Sequence, residues 1–198
     1  MRKNFYVFRH GQTDMNANNI WQGAKINITL NETGKQQALE LGKKLLPLGI
    51  EVMYTSNLRR AIQTTMLVNQ SLNVATLIHG DLRECNFGDA EGCAFNKLDS
   101  MWPQIVHDVL YPTPETWNTR FPGADSESKK EVFERVSSAM LDIAHKDKST
   151  NIGISTHGGV MSSLLAGLKS YGTPIPNCCV AHIIYDDATD SLSFVKML

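Results

Sequence analysis

The segment that decides the fold is Phe5-Tyr6-Val7-Phe8-Arg9-His10-Gly11, an apolar run followed by three residues of distinct chemistry. The apolar run predicts a buried β-strand. Because open α/β sheets bind ligands at the carboxyl ends of their strands, Arg9 and His10 lie where a ligand would bind. Gly11 suits a sharp turn or a close approach of the backbone to a ligand. The segment predicts a phosphoryl site, because arginine fits phosphate oxygens and histidine is a nucleophile whose protonation is easily tuned.

Two further predicted strands end in a similar way. Residues 151–156 read as a short buried strand that runs into His157-Gly158-Gly159 and then into an apolar helical pattern. Residues 52–56 predict a third strand, and a helix begins after it within Asn57-Leu58-Arg59-Arg60-Ala61. Backbone amides at a helix N-terminus favour anions, and an arginine there adds positive charge. Strand ends that deliver two histidines and an arginine predict a convergent site for an anionic ligand.

Length and composition indicate one ordinary globular domain over residues 1–198. The chain is 42% hydrophobic and 20% charged, and it contains no repeat or linker. Its net charge of -1 gives no overall field that would attract nucleic acid or an anionic membrane. No apolar run approaches the ~20 residues that cross a bilayer, and residues 5–8 are too few for a secretory signal. We therefore expect a cytoplasmic protein without nucleic-acid or membrane partners.

The strand-end motifs belong to a longer ordered series. The other members are Gln12-Thr13, Asn16, Gln22-Gly23, residues 30–34 and 37–38, Thr64, Leu82-Arg83-Glu84, Phe87-Gly88, Glu91-Gly92, Glu127-Ser128, Val132 and Arg135-Val136. In this order, the motifs resemble those of the histidine phosphatase superfamily, in its phosphoglycerate-mutase-like branch, over nearly the whole chain. Together with the alternation of strand and helix patterns, the resemblance implies an α/β fold. We expect a three-layer α/β/α sandwich with a mostly parallel central sheet and a cap insertion over the strand ends.

The resemblance and the chemistry of the residues assign the same catalytic roles. A neutral His10 attacks phosphorus and forms a phosphohistidine, while its other ring nitrogen donates to a nearby acceptor such as a backbone carbonyl. Arg9, Arg59 and His157 supply positive charge and hydrogen-bond donors to the phosphoryl group. Glu84 protonates the leaving oxygen and later activates water. No metal ion or other cofactor is expected.

Other residues near these motifs receive weaker or alternative assignments. Contacts to the phosphoryl group or the substrate are predicted for Thr13, Asn16, Gln22, Gly23 and Gly158. Glu91 is the alternative acid, and Glu84 is preferred because it occupies the matching motif position. Arg60 is either a second phosphate contact or a charge on the helix surface, and the surface position is preferred because Arg59 holds the matching register. The four cysteines are interpreted as reduced structural thiols, although Cys85 directly follows Glu84, which leaves open that it lines the site.

Residues 94–126 differ in composition from the rest of the chain. The segment is rich in proline and aromatic residues: Pro103, Pro112, Pro114, Pro122, Trp102, Tyr111, Trp117 and Phe121. This composition predicts a partly irregular cap, and loops of this kind commonly carry specificity. A packed crossover with buried aromatic side chains is an equally open alternative, and the two interpretations are compatible.

Departures from the family pattern favour a phosphatase that hydrolyses a phosphate monoester. Residues 27–30 (Asn-Ile-Thr-Leu) replace the common Asp-x-Pro-Leu, which we interpret as a local packing change. Glycolytic mutases carry an arginine after the acid glutamate, where this chain has Cys85, and paired arginines in the cap, where Arg120 stands alone. A mutase must hold a doubly phosphorylated intermediate and exclude water. Mutase-type phosphoryl transfer is the alternative function.

Two other classes of function are open at this stage. The fold could serve as a non-catalytic module that binds a phosphorylated ligand or a protein, although every catalytic candidate is present. A metal hydrolase built on His10, His157 and Glu84 would have suitable ligand types, but it lacks a short-spaced histidine pair, and the arginines would repel a cation. A phosphorylated small molecule is the expected partner. The sequence identifies neither that molecule nor an oligomeric state.

Overall fold

The computed structural model describes residues 2–198, which form one six-stranded sheet and the helices and loops around it. The strands are β1 (Arg2–Arg9), β2 (Val52–Thr55), β3 (Ala75–Ile78), β4 (Asn151–Thr156), β5 (Val180–Asp186) and β6 (Ser191–Met197). They are arranged in the order β3-β2-β4-β1-β5-β6. The pairs β3-β2, β2-β4 and β4-β1 are parallel, whereas β5 is antiparallel to both β1 and β6. The prediction of a mostly parallel central sheet is confirmed.

Seven α-helices accompany the strands in the described part of the chain. They are α1 (Asp14–Ala17), α2 (Glu32–Leu45), α3 (Arg59–Leu72), α4 (Phe95–Met101), α5 (Pro103–Leu110), α6 (Lys129–Lys146) and α7 (Gly158–Gly167). Asn31 caps α2, because its side chain accepts a hydrogen bond from the Gly34 amide. Ser128 and Glu131 form a capping box that begins α6. No helix within residues 2–198 is long and apolar enough to cross a membrane.

The apolar run of β1 is continuous because helices cover both faces of the sheet. Phe5 and Val7 point to one side and pack in a core with apolar residues of α6 and α7. Tyr6 and Phe8 point to the other side and pack with residues of α2 and α3. Successive residues of a strand face opposite sides, so each half of the run serves a different layer. The predicted three-layer α/β/α arrangement is confirmed.

The register of the parallel strands brings the predicted site residues together. Arg9 at the end of β1 pairs with Thr156 at the end of β4. The next residue of each strand is a histidine, so His10 and His157 leave neighbouring strands at the same edge. On the other side of β4, the end of β2 pairs with Ser155. The chain then enters α3 beside His157.

Residues 94–126 combine a partly irregular cap with a packed crossover that buries aromatic side chains. The segment forms α4 and α5 and then continues without regular structure over most of its second half. Phe121 is 2% exposed and belongs to the main hydrophobic core. Phe95, Val109 and Leu110 instead line the cavity at the strand ends. The segment therefore packs its aromatic residues and also covers the site.

Candidate active site

A cavity of about 480 Å³ lies at the carboxyl edge of the parallel strands. Six of the predicted site residues line it: Arg9, His10, Asn16, Gln22, Glu84 and Gly158. Apolar side chains, including those of Trp21, Phe87 and Ile175, form part of the wall. A cavity of this size and mixed lining is typical of a site for a small molecule.

The imidazole of His10 is buried and held in one orientation. Its Nδ1 lies 2.7 Å from the carbonyl oxygen of Gly11. A carbonyl only accepts hydrogen bonds, so Nδ1 carries the proton and Nε2 of a neutral ring keeps its lone pair. The predicted contact of one ring nitrogen with a backbone carbonyl is confirmed. The backbone at Gly11 packs closely against Gly34. A Cβ at residue 11 would lie 2.4 Å from the Gly34 carbonyl oxygen, so only glycine fits at this position.

The tautomer of His157 follows from the hydrogen bonds of Ser56. Ser56 Oγ accepts a hydrogen bond from the Leu58 amide and lies 2.7 Å from His157 Nε2. When the Ser56 hydroxyl donates to Nε2, the proton of a neutral His157 is on Nδ1. Within residues 2–198, Nδ1 is buried and has no hydrogen-bond partner. In that tautomer, Nδ1–H is a donor without a protein acceptor among the described residues.

Both site histidines are neutral over the physiological pH range. Burial lowers the pKa of His10 far below its usual value, and the charges of Arg60 and Arg9 lower it further. Burial likewise lowers the pKa of His157, with Arg60 the next cause. Their ring centroids are 5.3 Å apart, so a proton on one ring disfavours a proton on the other. The neutral form of an imidazole is the one that can act as a nucleophile.

The two consecutive arginines of α3 occupy opposite environments. Arg60 is 0% exposed, so the prediction that it lies on the helix surface is wrong. Its Nη1 and Nη2 donate to the carbonyl oxygens of Ile26 and Gly23 at 2.6 and 3.2 Å, which fixes the guanidinium beneath the histidines. Arg59 is exposed. Residues one apart on a helix point about 100° apart, so only one of the pair faces the site, and that one is Arg60.

Arg9 is the second buried cation beside the histidines. Its Nη1 donates to the Ile175 carbonyl oxygen at 2.7 Å, and its Nε has no hydrogen-bond partner within residues 2–198. Burial lowers its pKa, and the charge of Glu84 opposes that effect. A Cβ at Gly158 would lie 3.2 Å from Arg9 Nε. Glycine at this position therefore leaves room around the guanidinium.

Glu84 is 4% exposed and is anchored to the N-terminus of α7. Its Oε1 accepts hydrogen bonds from the Cys85 and Val160 amides, and its Oε2 accepts one from Gly159. These bonds fix the carboxyl group in the wall of the cavity. Glu91 is held elsewhere, by the amides of Phe87 and Lys25, and burial raises its pKa. Of the two candidate acids, only Glu84 lines the cavity.

The weaker candidates form a hydrogen-bonded group beside His10. Thr13 caps α1, donates to Asn16 Oδ1 and accepts from Gln22 Nε2 at 2.8 Å. Asn177, which the sequence did not single out, donates to the His10 carbonyl oxygen and to Asn16 Oδ1. Asn16, Gln22 and Asn177 line the cavity. Thr13 is fully buried, so it positions its neighbours.

The remaining predicted contact, Gly23, lies in the support of Arg60 rather than in the cavity wall. Its carbonyl oxygen accepts from Arg60. A Cβ on Gly23 would lie 2.2 Å from Glu91 Oε1 and 2.8 Å from the Cys85 carbonyl oxygen. Glycine is therefore required by close packing at this point.

The loop that carries Glu84 is held by an ion-pair network. Glu127 accepts bonds from Arg83 at 2.6 and 3.0 Å and from Arg135 at 3.0 and 3.2 Å. Burial favours the neutral carboxyl group, but the bonds from Arg83 and the charge of Arg135 outweigh it and lower the pKa of Glu127. Cys85 is 2% exposed and lies in the core. The possibility that Cys85 lines the site is thus removed, and burial raises the pKa of its thiol.

Lys129 is a cavity residue that the sequence did not single out. It is the first residue of α6 and is 5% exposed. Its Nζ donates to Ser162 Oγ at 3.1 Å, and both residues line the cavity. Within residues 2–198, no group of three or more histidine, cysteine, aspartate or glutamate side chains is arranged to hold a metal ion. Charged groups of both signs thus surround the cavity: Arg9, Arg60, Lys129 and Glu84.

Comparisons with known proteins agree with this geometry. The family model of the histidine phosphatase superfamily (branch 1) matches residues 5–196. The uncharacterized phosphatase PhoE of Bacillus subtilis (strain 168) is 28% identical over 182 residues, which cover 89% of this chain and 86% of that protein. Phosphoglycerate mutase-like protein 4 of Arabidopsis thaliana is 31% identical over 160 residues, 80% of this chain and 67% of that protein. The solved phosphoglycerate mutase from Bacillus anthracis str. Sterne is 27% identical, with a TM-score of 0.83, and the match covers 98% of this chain and 92% of that chain.

Proposed function

The chain belongs to the histidine phosphatase superfamily, and we propose that it is a phosphatase that hydrolyses a phosphate monoester of a small molecule through a phosphohistidine on His10. The observation that carries the proposal is the fixed imidazole of His10. Its Nδ1 is engaged by the Gly11 carbonyl oxygen, and burial beside two arginines keeps the ring neutral. Nε2 therefore holds a lone pair at the wall of the cavity without the need for a separate base.

In the first step, the lone pair of His10 Nε2 attacks phosphorus. The N–P bond forms as the P–O bond to the leaving group breaks. Arg9, Arg60 and the Nδ1–H of His157 stabilise the negative charge on the phosphoryl oxygens. The leaving oxygen takes a proton from the carboxylic acid of Glu84, so the first product departs as an alcohol.

In the second step, water attacks the phosphohistidine. Glu84, now a carboxylate, accepts a proton from the water as its oxygen bonds to phosphorus. The N–P bond breaks, its electron pair returns to His10 Nε2, and inorganic phosphate is released. Two observations support both roles of Glu84: it lines the same cavity as His10, and three backbone amides fix its carboxyl group.

Mutase-type phosphoryl transfer is the second candidate function. Lys129 favours it to a degree, because it adds a cation to the cavity that the cap composition alone did not indicate. The names of the relatives also include both phosphatases and mutases. Incubation with 3-phosphoglycerate separates the two functions: a phosphatase releases inorganic phosphate, whereas a mutase moves the phosphoryl group to the neighbouring oxygen.

The test of the phosphohistidine uses His10→Ala, with His145→Ala as a control on an exposed histidine of α6. We expect His10→Ala to lower turnover of p-nitrophenyl phosphate by several orders of magnitude. Rapid quench with a ³²P-labelled monoester should trap an acid-labile, base-stable phosphoenzyme in the parent and in His145→Ala, but not in His10→Ala. Substantial turnover by His10→Ala would overturn the mechanism.

A further inference from the structure

Lys129 has an unusual position for a lysine. As the first residue of an 18-residue helix, it lies at the positive end of the helix dipole, where a cation is disfavoured. It is also 5% exposed, whereas the adjacent Lys130 is exposed and lies 3.9 Å from Glu134. A positive charge at residue 129 is therefore disfavoured both by the dipole of α6 and by the low exposure of the side chain.

The ammonium group of Lys129 has few partners in the protein. Among the described residues, its Nζ donates one hydrogen bond, to the neutral hydroxyl of Ser162 at 3.1 Å. No carboxylate oxygen within the described residues 2–198 lies within 4.0 Å of its Nζ. Burial lowers the pKa of Lys129, and the charge of Glu84 only partly opposes this effect. A buried cation with one neutral partner is costly, and an anion in the cavity would reduce that cost.

A purely structural lysine would be expected to behave differently. Such a residue packs its aliphatic stem on apolar surface and extends its ammonium group into bulk water. Lys129 instead shares the cavity wall with His10, Arg9 and Ser162. Because Arg9 and Arg60 already flank the histidines that would hold the phosphoryl group, Lys129 is an additional cation within the same cavity.

We propose that Lys129, together with the Ser162 hydroxyl, binds a second anionic group of the substrate and so determines specificity. This inference rests on the proposed phosphatase function. The substrate would be a small phosphate monoester that also carries a carboxylate or a second phosphoryl group. Its carbon part would contact the apolar wall formed by residues such as Trp21 and Phe87.

The test compares substrates that differ in the second anion. Glycerol 3-phosphate has none, 3-phosphoglycerate adds a carboxylate, and propane-1,3-diol bisphosphate adds a second phosphoryl group. We expect the kcat/KM of the parent to be higher for at least one of the two substrates with a second anionic group than for glycerol 3-phosphate. Lys129→Met should reduce that preference by about 10–100-fold, mainly through KM, because it removes charge-assisted hydrogen bonds. Turnover of p-nitrophenyl phosphate, which lacks a second anion, should fall by a smaller factor than turnover of the two substrates that carry one.

Two further variants make the result specific. Lys130→Met removes an adjacent but exposed charge and should leave the preference intact. Lys129→Gln serves as a second neutral variant if Lys129→Met does not fold. The inference is overturned if the parent cleaves p-nitrophenyl phosphate but shows no preference among the three compounds, or if loss of Lys129 slows all substrates equally. If the parent cleaves none of these esters, the proposed phosphatase function itself fails.

Discussion

Arg60 is buried near the site histidines, whereas the adjacent Arg59 is exposed. This difference gives a sharp prediction for Arg60, because Arg59 is a matched control. Arg60→Met removes a guanidinium that is 0% exposed and lies close enough to His10 and His157 to lower the pKa of both. Arg59→Met removes an equal charge from the exposed side of the same helix. We expect the first substitution to impair phosphate binding and catalysis and the second to have little effect.

The magnitude follows from the bonds that Arg60 makes and can make. Two of its donors are held by the Gly23 and Ile26 carbonyl oxygens, and burial lowers its pKa only to about 10, so the group is charged at neutral pH. One charge-assisted hydrogen bond to a phosphoryl oxygen contributes about 1.5–3 kcal/mol, which corresponds to a loss of about 10–150-fold in affinity. Arg60→Met also leaves two carbonyl groups without their donors, so Arg60→Lys is needed as a variant that retains the charge.

The assay measures orthovanadate inhibition, the phosphate-induced rise in Tm, and the pH dependence of kcat/KM. Loss of Arg60 raises the pKa of His10, because Arg60 is the largest cause of its depression after burial. The acidic limb of kcat/KM should therefore move to higher pH in Arg60→Met, an effect that a merely structural arginine would not produce. The assignment is refuted if Arg59→Met loses phosphate binding while Arg60→Met retains it.

Two other predictions concern protons. Glu84→Gln should cripple hydrolysis of an alkyl phosphate but cost far less with p-nitrophenyl phosphate, whose leaving group needs little protonation; this leaving-group dependence in Glu91→Gln alone would assign the acid to Glu91. Burial lowers the pKa of His10 and His157, so the unfolded chain binds their protons first as the pH falls below about 6.5. The urea-derived free energy of unfolding should therefore fall from pH 7 to 5 by up to about 1.4 kcal/mol per pH unit per histidine, and equal slopes in the parent and in His10→Gln would contradict this.

The elements that bury continuous apolar runs could be predicted from the sequence. The run at residues 5–8 identifies β1, and the predicted strand at 151–156 has the bounds of β4. The order of the strands could not be read from local patterns, because pairing depends on contacts between distant segments, and the family resemblance predicted a mostly parallel sheet without a strand order. Residues 74–78 (Val-Ala-Thr-Leu-Ile) have a composition typical of a strand, and β3 occupies Ala75–Ile78, although every one of its residues is exposed at the sheet edge.

The error at Arg60 has a physical origin that the sequence contains. Arg59 was matched to the arginine of the family motif, one residue before the arginine that is buried. Arginine side chains are also usually exposed, which favoured a surface position for Arg60. Helical spacing gives the opposite answer, because Arg60, Thr64 and Val68 follow one another at four-residue intervals, and all three are buried. Arg59 instead shares a face with Met66, which is 67% exposed.

Lys129 was beyond sequence reasoning for a different cause. A lysine in the first turn of a polar helix is normally exposed to solvent. Lys129 is instead buried against a distant part of the chain, where Ser162 of α7, 33 residues later, accepts a hydrogen bond from it. Among the described residues, Arg9 and Lys129 line the cavity and Arg60 lies close to its histidines, whereas the cavity wall contains one carboxylate, that of Glu84. This imbalance costs stability in the free protein, since buried charges need opposite charges nearby. Under the proposed function, an anionic substrate would supply that opposite charge, so the arrangement that weakens the free fold would direct binding energy to phosphorylated ligands.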